Sequence, residues 1–98
     1  MMAEILDINT KGACTSSVEV VGATTISMYL KPLSGERKAY KLVLQLSPDN
    51  GATWITATDT IHEESITTVH VAATHARACV SHANERAATV NIFIVSAP

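Results

Sequence analysis

Four histidines, His62, His70, His75 and His82, crowd about one fifth of the chain, and imidazole is the side chain most often used as a metal ligand or a proton carrier near neutral pH. The stretch His62-Glu63-Glu64-Ser65-Ile66 begins like the zinc-protease pattern His-Glu-x-x-His. Its fifth residue is Ile66, so the second ligand is missing and the motif fails. His70 and His75 fall on opposite faces of any continuous strand, and only a turn at 72–74 brings them together. Solvated or hydrogen-bonded imidazoles are therefore expected, with no metal and no cofactor. Placed near a subunit contact, such a group of histidines would make assembly sensitive to pH. Glu63 and Glu64 beside His62 have the composition of a general acid and base, but adjacent carboxylates on a polar loop read as a solvated acidic surface.

Nucleophiles and phosphate cradles fare no better. Cys14 and Cys79 stand far apart with no CxxC pairing, so neither a zinc knuckle nor a redox motif is present. Both are read as buried small apolar side chains, without a disulfide, as suits a reducing compartment. The four glycines are isolated, which leaves no glycine-rich phosphate loop. No catalytic residue is assigned and no enzyme is expected.

Composition narrows the partners. Seven Lys and Arg against nine Asp and Glu, without a basic cluster, lack the footprint of a nucleic-acid binder. Glu4 and Asp7 occupy the place where a secretory signal carries positive charge, and apolar runs such as 90–95 fall far short of the roughly 20 residues of a spanning helix. A soluble protein made in a cytosol is expected, with no membrane partner. Its 98 residues suit one core. An N-terminal arm or short strand over 1–16 followed by a sandwich domain over 17–98 is the expected organisation, the first part ordering against a partner.

The dominant period is two, as half-buried strands require. Val18 to Val20, Ile26 to Leu30, Tyr40 to Leu46, Trp54 to Thr58, Ile66 to Val71 and Thr89 to Val95 read as strands, with a weaker one over Ile5 to Ile8. Leu42, Leu44 and Leu46 are expected inward, and Lys41, Val43 and Gln45 outward. Leu33-Ser34-Gly35-Glu36 reads as a turn after Pro32. The alanine-rich segment 72–88 has helical spacing at Ala76, Val80, Ala83 and Ala87, yet such a helix would bury little apolar area. Strand over Arg77 to Ser81 and turn over His82 to Glu85 is preferred. Strands at intervals of about 8 to 12 residues, divided by turns, predict an all-β protein: an antiparallel β-sandwich, immunoglobulin-like or jelly-roll.

One phrase is more specific. Ser47-Pro48-Asp49-Asn50-Gly51-Ala52-Thr53-Trp54 holds the only tryptophan between two alternating runs. Asn50 and Gly51 tolerate positive φ, the Asp49 carboxylate can accept backbone N–H groups ahead of it, and Ser47 and Thr53 can add side-chain bonds. Trp54 is expected as an apolar plug in the core. Ser47, Asp49, Gly51, Thr53 and Trp54 resemble the Asp-box, Ser-x-Asp-x-Gly-x-Thr-Trp, of sialidase-like β-propellers, where it is a folding element away from the catalytic centre. A single copy in a chain long enough for about two blades of 40 to 50 residues rules out a propeller.

A lone box after a Leu-x-Leu-x-Leu strand, followed by β-branched, Arg77-bearing and Thr89 to Ile92 strands, is similar to small β-sandwich virion proteins of tailed bacteriophages over about 17–96. That resemblance implies a non-enzymatic capsid decoration or cement protein, or a neck or tail component, binding the major capsid protein or other virion proteins. It further implies a homo-oligomer, a trimer being favoured, and a virion location after synthesis in the host cytoplasm. It names no contact residues. A lectin-like sandwich is the alternative, weakened by the 4% aromatic content, with Trp54, Tyr29 and Tyr40 as the candidate sugar platforms.

Overall fold

The computed structural model describes residues 1–8, 11–35, 40–83 and 88–98. These form eight strands and no helix among the described residues: β1 Met2–Ile8, β2 Val18–Glu19, β3 Thr25–Ser34, β4 Tyr40–Ser47, β5 Ile55–Thr56, β6 Ser65–Val69, β7 His75–Ala83 and β8 Ala88–Ala97. Two four-stranded sheets result, sheet one ordered β1-β8-β3-β6 and sheet two β2-β7-β4-β5, with every paired neighbour antiparallel. First strand pairs with last, second with seventh, third with sixth and fourth with fifth, as in one long hairpin rolled over on itself. That ordering makes the expected antiparallel β-sandwich a jelly roll.

Alternation fills the space between the sheets. Sheet one turns Ile26, Met28 and Leu30 of β3 and Val90, Ile92 and Ile94 of β8 inward, all essentially unexposed. Sheet two answers with Leu42, Leu44 and Leu46 of β4 and with Ala76, Ala78 and Val80 of β7. Small residues on β7 facing large ones across the core explain why the 72–88 segment is alanine-rich: the space between layers about 10 Å apart is already occupied. Helical propensity is overridden because an alanine stripe would give up this burial. The turn expected over 82–85 lies partly outside the described residues, as does the end of the turn expected at 33–36.

Several elements differ from the sequence reading in extent, β7 among them, which runs from His75 to Ala83 and so makes strand of the first two residues of the turn expected over 82–85. β1 starts before Ile5 and pairs with β8 from Met2↔Ile94 to Ile8↔Ala88. β3 runs on through Pro32 to Ser34, with a register shift against β8 between Pro32 and Ser34. β6 ends its pairing at Leu30↔Ser65, so Pro32 sits where β3 has a neighbour on one side only, the setting that tolerates a residue without an N–H. The expected return strand over 54–58 shortens to Ile55–Thr56. Beyond it the Thr58 hydroxyl takes the Leu44 N–H at 3.1 Å, and backbone pairing resumes between Leu42 and Ile61.

The cysteines correct the sequence reading outright. Cys14 and Cys79 form a disulfide joining positions 65 residues apart. Their pairing follows from register: Gly12 N–H donates to Val80 O, Thr15 N–H to Ala78 O, and Cys14 lies directly opposite Cys79 with Cα atoms 4.1 Å apart. Opposed residues in the non-hydrogen-bonded position of an antiparallel pair come this close, and two half-cystines there can meet without moving either strand. Val43, expected outward, does lie on the outer side of sheet two, but it is buried beside Cys79, its cross-strand partner.

Candidate functional site

The turn at 47–54 is built around two side chains. Ser47, with no exposed surface, donates its hydroxyl to Asp49 Oδ1 at 2.9 Å and accepts the Gly51 N–H at 2.8 Å and the Asp49 N–H at 3.3 Å. Asp49 Oδ1 also accepts the Thr53 N–H at 2.7 Å. Hydrogen bonding from Thr53, first through its side chain and then its backbone, holds the Asp49 carboxyl below its ordinary value of 3.8, because the bonds favour the ionised form. Asn50 at φ 60° and Gly51 at φ 91° take the left-handed conformations that close the turn.

A residue outside the phrase anchors it. The Thr74 hydroxyl accepts the Asn50 N–H at 2.8 Å and donates to Ser47 O at 3.0 Å, while the Thr74 N–H donates to the same carbonyl at 2.8 Å. Its own carbonyl accepts the Val20 N–H. One threonine thus ties the turn to the start of β7 and to the segment after β2. Nothing in the sequence near Thr74 signals this, since the partners are distant in the chain.

Trp54 is not the expected core plug. It is half-buried at the rim, because β5 is a two-residue edge strand lying beyond the inward leucines of β4. The Arg77 guanidinium stacks over its ring, 4.1 Å from the centroid, and Arg77 Nε donates to Gln45 Oε1 at 3.0 Å. Gln45 and Arg77 are cross-strand partners, so register delivers the arginine to the ring. Such a stack desolvates part of both groups and is worth about 0.5–1 kcal/mol at an exposed site.

The histidines do not converge. His62 lies in the β5–β6 connection, 3.6 Å from Glu63 Oε1, and His70 is exposed after β6. His75 opens β7, its Nδ1 3.2 Å from the Thr74 hydroxyl, and His82 lies near the other end of that strand, roughly 23 Å away at 3.3 Å per residue. Among the described residues no group of three His, Cys, Asp or Glu side chains is placed to hold a metal ion. Glu64 pairs instead with Lys31 at 3.7 Å, both exposed.

A surface that no motif announced lies on the outside of sheet one. Register sets Ala3, Phe93, Tyr29 and Ile66 side by side across all four strands, Ala3↔Phe93, Tyr29↔Phe93 and Tyr29↔Ile66. Ile66 is 58% exposed and Tyr29 37%. Phe93, Tyr29 and Ile66, with the Lys31–Glu64 pair, border an open depression of about 370 Å³. The outward half of each strand's alternation was legible in the sequence, but its lateral alignment was not, because pairing of β8 with β3 and β1 is set by topology.

No family model matches the chain, and no curated protein matches it. Two solved structures are similar along nearly its whole length. PirA is 13% identical, with a TM-score of 0.52 over 95% of this chain and 93% of that one. The SPBc2 prophage-derived protein YomS is 8% identical, with a TM-score of 0.51 over 97% of this chain and 96% of that one. At such identities the likeness is one of fold, and this chain shares with both a small all-β architecture with little added to either.

Proposed function

We propose that the chain is a non-enzymatic structural protein of a phage particle, a capsid decoration or cement protein that binds capsid subunits by surface complementarity. The observation that carries this reading is the whole-length likeness to a prophage-derived protein of the same bare fold. The disulfide supports it, since such bonds persist where a protein ends in an oxidising setting such as a virion surface. Strand edges supply the means of attachment: among the described residues β6 pairs only with β3 and β1 only with β8, which leaves backbone groups for a capsid segment to pair with. A neck or tail component uses the same surfaces.

The test is partition. Particles from a lysate are separated on a density gradient, and the protein is followed with an antibody through the head, tail and soluble fractions. Co-sedimentation with heads supports decoration, and co-sedimentation with tails alone moves it to the neck or tail. Recovery only at the top of the gradient removes the reading.

A second reading, a small carbohydrate-binding module, draws on Trp54 being half-exposed at the rim rather than in the core. Titrating mono- and oligosaccharides against Trp54 fluorescence tests it, and an unchanged spectrum across the series ends it.

A further inference from the structure

We propose that the outer face of sheet one is a self-association surface on which a second copy of this chain packs, giving a two-fold dimer. The inference stands apart from the virion reading, because it concerns the purified protein alone.

Three observations carry it. The centre of the face is apolar, with Phe93, Tyr29 and Ile66 in one row and Ile5, 63% exposed, in the next. Six of its polar side chains are already paired within the chain, Asn91 and the Tyr29 hydroxyl not among them: Ser27 Oγ with Thr68 Oγ1 at 2.9 Å, Thr89 Oγ1 donating to Asp7 Oδ1 at 2.9 Å, and Lys31 with Glu64 at 3.7 Å. Hydroxyls bonded to one another lose little when water is removed, whereas a sugar or a polar peptide needs free donors and acceptors. The Lys31–Glu64 pair also leaves that part of the face without excess charge, so two like faces do not repel.

Area decides whether such a pair can hold. Strands of seven, ten, ten and five residues, at about 4.8 Å spacing and 3.3 Å per residue, present roughly 500 Å² per copy, about 1,000 Å² for the pair, which is the least that a specific interface buries and suits a dimer that dissociates on dilution. Sheets packed face to face stack in twos, which makes the product a dimer rather than the trimer that the virion resemblance implies. The depression beside Tyr29 takes an apolar side chain of the partner, and Tyr29 is the type of residue that anchors such contacts.

Light scattering on a sizing column, over a dilution series, tests the proposal. Expected is twice the 10.4 kDa chain at high concentration, falling toward one chain on dilution. Tyr29→Glu, which places like charges at the centre of both faces, is expected to give one chain throughout. Ile66→Lys repeats that test at a more exposed position if the first variant unfolds. Ile55→Glu, an equally bare position on β5 of sheet two, is expected to leave the two-chain mass unchanged. A one-chain mass for the unmodified protein overturns the proposal, whether the face then takes a sugar or a capsid surface. So does a three-chain mass, a two-chain mass in folded Tyr29→Glu or Ile66→Lys, or dissociation caused by Ile55→Glu.

Discussion

The outer side of sheet two is furnished by the chain itself: the disulfide and Val43 lie over β7 and β4, Arg77 stacks on Trp54, and the 47–54 turn is bolted to Thr74. Sheet one has longer edge strands, and its outer side carries Phe93, Tyr29, Ile66 and Ile5 with nothing of its own above them among the described residues. The two sheets share one core, and the difference lies outside it. Short edge strands such as β2 and β5 bury too little to hold themselves, so sheet two is held by covalent and polar fastenings. Sheet one needs none, which frees its outer side for a partner.

The strongest of these fastenings is the disulfide. Replacing Cys14 and Cys79 together with serine should cost about 4 kcal/mol, the loop-closure value for positions 65 residues apart. Chemical denaturation of oxidised protein and double variant, with the slope checked for change, measures it. Phe93→Ser on the outer side of sheet one should change monomer stability by only about 0.5 kcal/mol. Comparable losses from the two would mean that sheet two is not the side held by fastenings.

Next in size is the turn. Gly51→Val places a β-branched residue at φ 91° and should cost about 1–3 kcal/mol through backbone strain, the added Cβ itself meeting Trp54 Cζ2 at an ordinary 3.7 Å. Gly51→Ala should recover only part of the loss. Full thermal stability in the valine variant would show that the turn adopts another conformation without penalty.

Thr74→Val keeps the shape and removes the hydroxyl that bonds Asn50 and Ser47, so a loss of about 1–2 kcal/mol is expected. Trp54 fluorescence should also report a looser turn. Exchange of the Asn50 amide, followed by NMR, separates the two causes: faster exchange there with unchanged β8 amides places the damage at the fastening.

How much of this was legible follows from where each signal sits. Period-two runs at 26–30, 40–46 and 89–95 gave the strands, because alternation is local and a strand in a two-layer fold shows it directly. Asn50-Gly51 marked the turn for the same reason. The disulfide, Thr74 and the Trp54–Arg77 stack are contacts between residues 23 to 65 positions apart, and only the rolled topology creates them. Spacing alone hides the disulfide, because two lone cysteines look inert until a strand order sets them opposite one another. The alanines of β7, read as strand despite their helical spacing, do lie on a strand, since residue type there answers the leucines and isoleucines across the core and not a local helix. Sheet one's apolar row was half visible, with Tyr29 and Phe93 on the outward positions of their alternations, yet invisible as a row.

The smallest predicted effect gives the sharpest contrast between the sheets, because it belongs to one carboxylate in the turn of sheet two. Asp49 is held below 3.8 by the Thr53 hydroxyl and N–H and by Ser47, all of which bond the ionised oxygen. A folded-state value below the unfolded one means that the unfolded chain takes up the proton first as pH falls. The contribution is therefore fully present well above 3.8 and is lost as pH falls from about that point through the lower folded value. The group is open to solvent, so the effect is a modest one, best read as a difference between proteins. The stability gap between the unmodified chain and Asp49→Asn should be constant at neutral pH and shrink on acidification below 3.8. A gap that widens in acid would reverse the sign and show that the turn prefers the protonated carboxyl, and a gap that stays constant would mean that Asp49 serves the hairpin through its shape and not its charge.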